Sequence, residues 1–275
     1  MMQKKKRFIG VTVFFAVSGV GLLVAAFATD NWVQATPFCN VLAITSNLSR
    51  PTIGKGNSSF GLFNGEQTLD YGSGQRNYPL NIACDPKEGF CAFIFMRSDP
   101  QHKASPSEKL SLLLTQYQNR SGSSNSTYEA IQYGLFSFPL WVAVLVMLSL
   151  AIVMGLVNIG FSVFNVFGRP IETITGPLGL YLWNGLSVLF TALVLALYGG
   201  LYGTQLSKNF MMYDDYIQGW RSEGHIMLDF SFYLILGSAG AFLINCLLLF
   251  LGGQTLSCSY SHSGEKEVDN GMILY

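Results

Sequence analysis

Charged residues are missing from four long apolar stretches of this sequence. No charge occurs between Arg7 and Asp30, and three further uncharged stretches follow later in the chain. A helix needs about 20 apolar residues to cross the hydrocarbon core of a bilayer, and glycine and proline mark the ends of each stretch. The pattern predicts four membrane helices, at residues 8–29, 140–164, 178–202 and 230–251.

This missing charge decides the class of protein. Charged residues make up 12% of the chain, against about 25% in soluble domains. The uncharged stretches exclude a soluble enzyme. A nucleic-acid binder is also excluded, because the only basic run, Lys4 to Arg7, adjoins the first apolar stretch. We therefore predict an all-α membrane protein, a four-transmembrane-helix bundle in the lipid bilayer whose large extracellular loop has room for a small β-sheet.

Lysine and arginine in short flanking segments set the orientation of membrane helices. Four of them precede the first helix, whereas the segment between the third and fourth helices is acid-rich. We expect a multi-pass plasma-membrane protein with both termini in the cytoplasm. The predicted parts between the helices are the amino terminus 1–7, a large outer loop 30–139, a cytoplasmic turn 165–177, a second outer loop 203–229 and a cytoplasmic tail 252–275.

Four N-x-[ST] sequons support this orientation, because such sites accept glycan only on the lumenal side. All four lie between the first two predicted helices, at Asn47, Asn57, Asn119 and Asn125. We expect at least two of them to carry glycan.

The first helix has a competing interpretation as a signal peptide, since Ala26-Phe27-Ala28 matches an A-x-A cleavage site. Its apolar run exceeds the roughly 7 to 15 residues of such peptides. We expect an uncleaved helix.

The large outer loop is too long to lack structure of its own. Short β-prone pieces occur at residues 32–36, 41–44, 60–63 and 92–95. Ser105-Pro106-Ser107-Glu108 forms a capping box, and the leucines that follow have helical spacing, which predicts a short amphipathic helix. A second capping box, Ser126 with Glu129, predicts that the second membrane helix begins outside the bilayer.

Three cysteines lie in this loop, at Cys39, Cys84 and Cys91. An oxidising exterior favours one disulfide and leaves one thiol over. Turn residues between Cys84 and Cys91 suit a bridged hairpin, and a bridge from Cys39 to either partner is nearly as plausible. The loop has a single histidine, His102, so four ligands for a metal are not available.

Polar residues inside the predicted helices are uncharged, which argues against a transporter driven by internal charges. Asn158, Ser162 and Asn165 share one helix face by spacing. Together with Asn184 and Asn245 they are expected to form interhelical hydrogen bonds. The G-x-x-x-G spacing of Gly199 and Gly203 allows close helix packing, either inside the bundle or between copies in a homo- or hetero-oligomer.

Catalytic motifs are absent from the sequence. The three histidines, His102, His225 and His262, fall in separate segments. We therefore expect no enzyme activity, no cofactor and no metal. The last four residues, Met272, Ile273, Leu274 and Tyr275, are apolar and suit strand addition into a PDZ-type scaffold.

Several stretches resemble the clarins, a family of four-span membrane glycoproteins distantly related to claudins. They cover all four helices and the tail, and the most specific is the Gly-Pro block at 176–185, G-P-L-G-L-Y-L-W-N-G. The others are N-W-V-Q-A-T at 31–36, F-G-L-F-N-G-E at 60–66, F-N-V-F-G-R-P at 164–170, Q-L-S at 205–207 and I-L-Y at 273–275. The run Trp183-Asn184-Gly185 resembles the third clarin paralogue, whereas Cys39 stands where the first and second have a cysteine.

Two stretches depart from the family. Its C-G-L-G reads Tyr71-Gly72-Ser73-Gly74 here, so the resemblance implies another disulfide partner for Cys39, such as Cys84. Residues 85–128 look like an insertion.

The resemblance implies a non-enzymatic organiser of membrane complexes, linked to sensory hair cells, photoreceptors and actin-linked or synaptic scaffolds. The alternatives are a claudin-like pore, with the first loop and acids such as Glu66 and Asp70 lining its path, and an auxiliary channel subunit. Conductance across expressing cells, with and without those acids, distinguishes the pore from the organiser.

Overall fold

The structure is a computed structural model that describes residues 2–39, 54–70, 74–95, 105–121, 127–167 and 177–264. The predictions for Asn47, Asn125, residues 41–44 and the tail residues Met272 to Tyr275 lie outside these ranges. The chain divides into two compact units. We call Met1–Val24, Leu148–Ala192 and Leu236–Tyr275 the helix unit, and Ala25–Met147 and Leu193–Ile235 the sheet unit.

Four helices of the described chain are long and apolar enough to cross a membrane. They begin and end close to the predicted bounds, although the fourth continues well beyond residue 251. They are α1 (Met2–Ala28), α4 (Phe138–Phe167), α5 (Pro177–Leu201), which continues as a π-helical turn (Tyr202–Leu206), and α7 (Phe230–Gly264).

The all-α fold class is wrong, because nine strands of the sheet unit form one antiparallel sheet. The strands are β1 (Val33–Ala35), β2 (Phe38–Cys39), β3 (Gly54–Phe60), β4 (Asn64–Asp70), β5 (Gln75–Asp85), β6 (Phe90–Phe95), β7 (Phe136–Ser137), β8 (Trp220–Arg221) and β9 (Ile226–Leu228). The main order is β7-β6-β5-β4-β3-β1-β9, and β2 pairs with both β3 and β8.

The size of this sheet could not be seen in the sequence because its central strands are polar. Strand β3 reads G-K-G-N-S-S-F and β4 reads N-G-E-Q-T-L-D, compositions with weak β propensity. Their pairing comes from tertiary context, since β4 lies between β3 and β5 with seven residue pairs to β5. Strands β8 and β9 join from the second loop, far away in sequence.

The short helix predicted after residue 105 is confirmed. Helix α2 (Pro106–Ser121) begins at the proline, and Ser105 Oγ accepts a hydrogen bond from Glu108 N at 3.3 Å. Its buried residues Leu110, Leu114 and Tyr117 pack on Ala83, Ala92 and Ile94 of the β5–β6 hairpin. This helix therefore closes one part of the core of the sheet unit.

The second capping prediction is wrong in one respect. A separate short helix, α3 (Thr127–Gln132), precedes β7, and the membrane helix α4 starts only at Phe138. Gly134, with φ of +71°, ends α3 in a conformation that side chains rarely adopt. One further short helix, α6 (Tyr213–Ile217), lies in the second loop.

Candidate functional site

Trp32 forms a junction between four elements of the sheet unit. Its side chain is fully buried. The indole Nε1 donates to the carbonyl of Ala26 at 2.8 Å, and the ring lies 4.7 Å from that of Tyr198. Its backbone N donates to Phe60 O, and its carbonyl accepts from Asp229 N, both at 2.9 Å. Trp32 thus ties the end of α1 to α5, to β3 and to the residue before α7.

The turn between β3 and β4 makes a second junction. Leu62 is buried, and its carbonyl accepts from Trp141 Nε1 at 3.0 Å. Phe63 packs edge-on against both Phe27 and Trp141. Gly61 is required here by close approach, because a Cβ at this position would lie 2.5 Å from Asp30 Cα. The F-G-L-F stretch therefore ties the sheet to the ends of α1 and α4.

The disulfide alternatives are resolved in favour of the hairpin. Cys84 and Cys91 face each other across β5 and β6, with Cα atoms 4.1 Å apart, and are bonded. The Cys39–Cys84 pairing implied by the resemblance is wrong. Cys39 is a free, buried thiol packed with Leu69, Met211 and Trp220.

A cavity of about 700 Å³ lies in the sheet unit. Its walls come from β5, β6, α2 and the segment that follows the third apolar helix. The lining mixes apolar side chains such as Phe93 and Phe210 with the cations Arg76 and Lys109 and the acids Asp214 and Asp215. No Ser, Cys or His lies among the described lining residues.

A hydrogen bond from a buried side chain positions one acid of the cavity lining. Asp215 is 6% exposed, and its Oδ2 accepts from Gln67 Nε2 at 2.8 Å. Gln67 is fully buried, and its Oε1 has no hydrogen-bond partner among the described residues. On the opposite wall Lys109 Nζ donates to Phe95 O at 2.8 Å. Both charges are therefore fixed.

Three of the predicted helix-packing residues meet in the helix unit. Asn158 of α4, Asn184 of α5 and Asn245 of α7 are each at most 1% exposed. Asn184 Oδ1 accepts from Asn158 Nδ2 at 3.2 Å and from Asn245 Nδ2 at 3.1 Å. Asn184 Nδ2 donates to Phe242 O at 2.8 Å. We call these three residues the asparagine cluster; it joins three helices.

The other residues predicted for packing do not enter this cluster. Ser162 is buried, but Asn165 donates to Phe161 O of its own helix at 2.8 Å. Gly199 and Gly203 have open space where a Cβ would stand. The prediction that this glycine pair packs closely inside the chain is therefore wrong, and packing between copies stays a prediction.

Sequence reasoning missed the glycines that do allow close packing in the helix unit. A Cβ on Gly155 would lie 2.5 Å from Val20 Cγ2, and one on Gly19 would lie 2.9 Å from Phe242 Cζ. Phe242 is fully buried. Other glycines, such as Gly21 and Gly160, share these helices, and no G-x-x-x-G spacing marks Gly19 or Gly155.

Two of the predicted glycan acceptors fall in described residues. Asn57 on β3 and Asn119 near the end of α2 are both exposed. Glycosylation at either one stays a prediction. Asn57 Oδ1 accepts a hydrogen bond from Gln34 Nε2 at 3.1 Å.

Comparison with known proteins gives one family. A family model described as Clarin-2-like matches residues 133–249. Clarin-1 of Homo sapiens is 27% identical, covering 99% of this chain and 98% of the relative. Clarin-1 of Mus musculus is 25% identical over 95% of this chain and 91% of the relative. Clarin-3 of Rattus norvegicus is 33% identical over 100 residues, which are 35% of this chain and 43% of the relative.

Proposed function

Because this chain belongs to the clarin family of membrane proteins, we propose that it organises membrane complexes without catalysing a reaction. Its sheet unit is the recognition domain outside the cell, and its tail recruits a scaffold inside. The observation that carries the proposal is a folded nine-stranded sheet in a chain that also has four helices of membrane-spanning length. A sheet of this size is more than a connection between helices requires.

The two junctions support a role in presentation. Trp32 and the turn at Gly61 to Phe63 bond the sheet to the ends of three apolar helices within the sheet unit. Such ties fix the orientation of the sheet relative to those helix ends. A rigid domain is pre-organised for binding, which lowers the entropy lost when a partner docks.

The sites also suit binding better than chemistry. The 700 Å³ cavity offers a hydrogen-bonded cation, Lys109, a buried acid, Asp215, and aromatic walls, a composition that suits a recognition site. The helices contain an uncharged asparagine cluster in place of charged side chains that would mark an ion path. Sensory-cell, actin-linked and junctional settings belong to this proposal by family analogy.

The tail is tested by alternating substitutions in the full-length protein. Strand addition places alternate side chains on opposite faces, so Ile273 and Tyr275 enter the groove and Leu274 does not. We expect Tyr275→Asp and Ile273→Asp to abolish co-purification of the PDZ-type scaffold from expressing cells. Leu274→Asp is the matched control and retains it. Equal retention by all three variants would overturn the tail half of the proposal.

A further inference from the structure

A second cavity of about 330 Å³ in the sheet unit has an unusual lining. It is bordered by Arg120, Gln132, Tyr133, Tyr213, Tyr216, Ile217 and Arg221. Two guanidinium groups and three phenols thus face a space with no carboxylate among its described lining residues. We call it the Arg/Tyr pocket.

Both arginines are positioned but their charges are not neutralised. Arg221 Nη1 donates to the carbonyls of Tyr216 at 2.7 Å and Trp220 at 2.8 Å, and its guanidinium lies 3.9 Å from the Tyr216 ring centre. Arg120 Nη1 donates to the Tyr213 hydroxyl at 2.9 Å. Neither pairs with an acid among the side chains that the structure describes, so the pocket carries uncompensated positive charge.

Tyr133 adds an unused hydrogen-bonding group. It is 6% exposed and stacks on Tyr213 with ring centres 4.2 Å apart. Its hydroxyl is buried beside the Tyr213 hydroxyl and the Arg120 guanidinium, without a hydrogen bond of good geometry among the described residues. Burial raises the pKa of this hydroxyl, the Tyr213 hydroxyl raises it further and Arg120 opposes the rise. A buried hydroxyl without a partner costs free energy, and a bound oxyanion would supply an acceptor.

We propose that the Arg/Tyr pocket binds a sulfate group of a sulfated polysaccharide outside the cell. Guanidinium groups stay ionised and match the geometry of a tetrahedral oxyanion with paired N–H donors. The net charge of the chain is zero, so this affinity comes from the local site and not from a general basic surface. The proposal rests on the sheet unit lying outside the cell, and it names one class of partner there.

Binding of the full-length protein in lipid nanodiscs to immobilised heparin tests the proposal. We expect saturable, salt-sensitive binding that free inorganic sulfate competes and that chemically desulfated heparin does not reproduce. Arg120→Gln removes a charged donor and weakens binding roughly tenfold or more. Lys87→Gln removes an equal charge from an exposed hairpin turn of the same unit and leaves binding unchanged.

Tyr133→Phe separates binding from folding. The variant keeps the ring stack and removes a hydroxyl that makes no hydrogen bond of good geometry in the free protein, so we expect its melting temperature to change little. Its heparin affinity falls several-fold if the hydroxyl meets the ligand. Wild-type affinity in both Arg120→Gln and Tyr133→Phe overturns the proposal, as does an equal loss in Lys87→Gln. Neither result bears on the tail experiment, so the two proposals fail separately.

Discussion

Replacing Trp32 with alanine is expected to lower the free energy of unfolding by about 3 to 5 kcal/mol, the usual cost of truncating a buried large aromatic residue. The side chain is fully buried between α1, α5 and β3, and its Nε1 satisfies the Ala26 carbonyl. Trp32→Phe keeps part of the ring contact with Tyr198 but loses the hydrogen bond and part of the buried ring volume, so an intermediate cost of about 2 to 3 kcal/mol is expected there.

Trp141→Ala is the matched control for this prediction. Trp141 also donates its Nε1 to a carbonyl, that of Leu62, but it is only half-buried. We expect less than half the loss seen for Trp32→Ala. Thermal unfolding with a thiol-reactive dye measures both, in a Cys246→Ser, Cys258→Ser background where buried Cys39 is the reporter. Equal losses at the two tryptophans would refute the junction.

Asn184→Ala is expected to cost about 2 to 4 kcal/mol, because two buried amide donors lose their shared acceptor. Those donors are Asn158 Nδ2 and Asn245 Nδ2, on two other helices. Replacing all three asparagines with leucine removes the polar groups together and is expected to recover most of the loss. Denaturation of the full-length protein in mixed micelles measures each variant.

Asn165→Ala is the control for the cluster, because Asn165 lies outside it and its Nδ2 donates to Phe161 O of its own helix. Its effect is expected to stay within about 0.5 kcal/mol. If Asn184→Ala and Asn165→Ala unfold at the same denaturant concentration, the cluster contributes nothing to bundle stability. If the triple leucine variant unfolds at a lower denaturant concentration than Asn184→Ala, the loss of stability comes from packing and not from hydrogen bonding.

The helices could be predicted because the bilayer imposes a strong rule on composition. Asn158, Asn184 and Asn245 follow from the same rule, since an amide among apolar side chains must find a polar partner inside the bundle. The rule weakens at a helix end. Asn165 lies two residues before the last residue of α4, and its Nδ2 donates to the carbonyl of Phe161 in the same helix.

The sheet follows no such local rule. Its strands β3 and β4 are polar. Strand β9 comes from the second loop and pairs with β1, which lies almost 200 residues earlier in the sequence. Gly155 and Gly19 could not be predicted as packing positions for a related reason. Gly155 faces Val20 and Gly19 faces Phe242, and these neighbours lie on other helices. The pair Gly199 and Gly203 matched a motif without any such neighbour.

The stretches that resemble the clarins acquire a physical meaning in the structure. Trp32 and Phe63 make the two junctions, Asn184 centres the asparagine cluster, and Gln205 Oε1 accepts from Ser137 N at 2.7 Å. Each ties together segments that are distant in sequence. At these positions the resemblance therefore follows the architecture.

Glycan mapping in cells tests the central claim that the sheet unit is displayed outside while the tail is inside. Variants retain one sequon each, with the other acceptors changed to glutamine, and a Met272→Thr variant creates a sequon at Asn270. We expect a glycosidase-sensitive mobility shift with Asn57 or Asn119 alone, and none with the tail acceptor. A glycan on Asn270, or no glycan on both Asn57 and Asn119, would contradict the account.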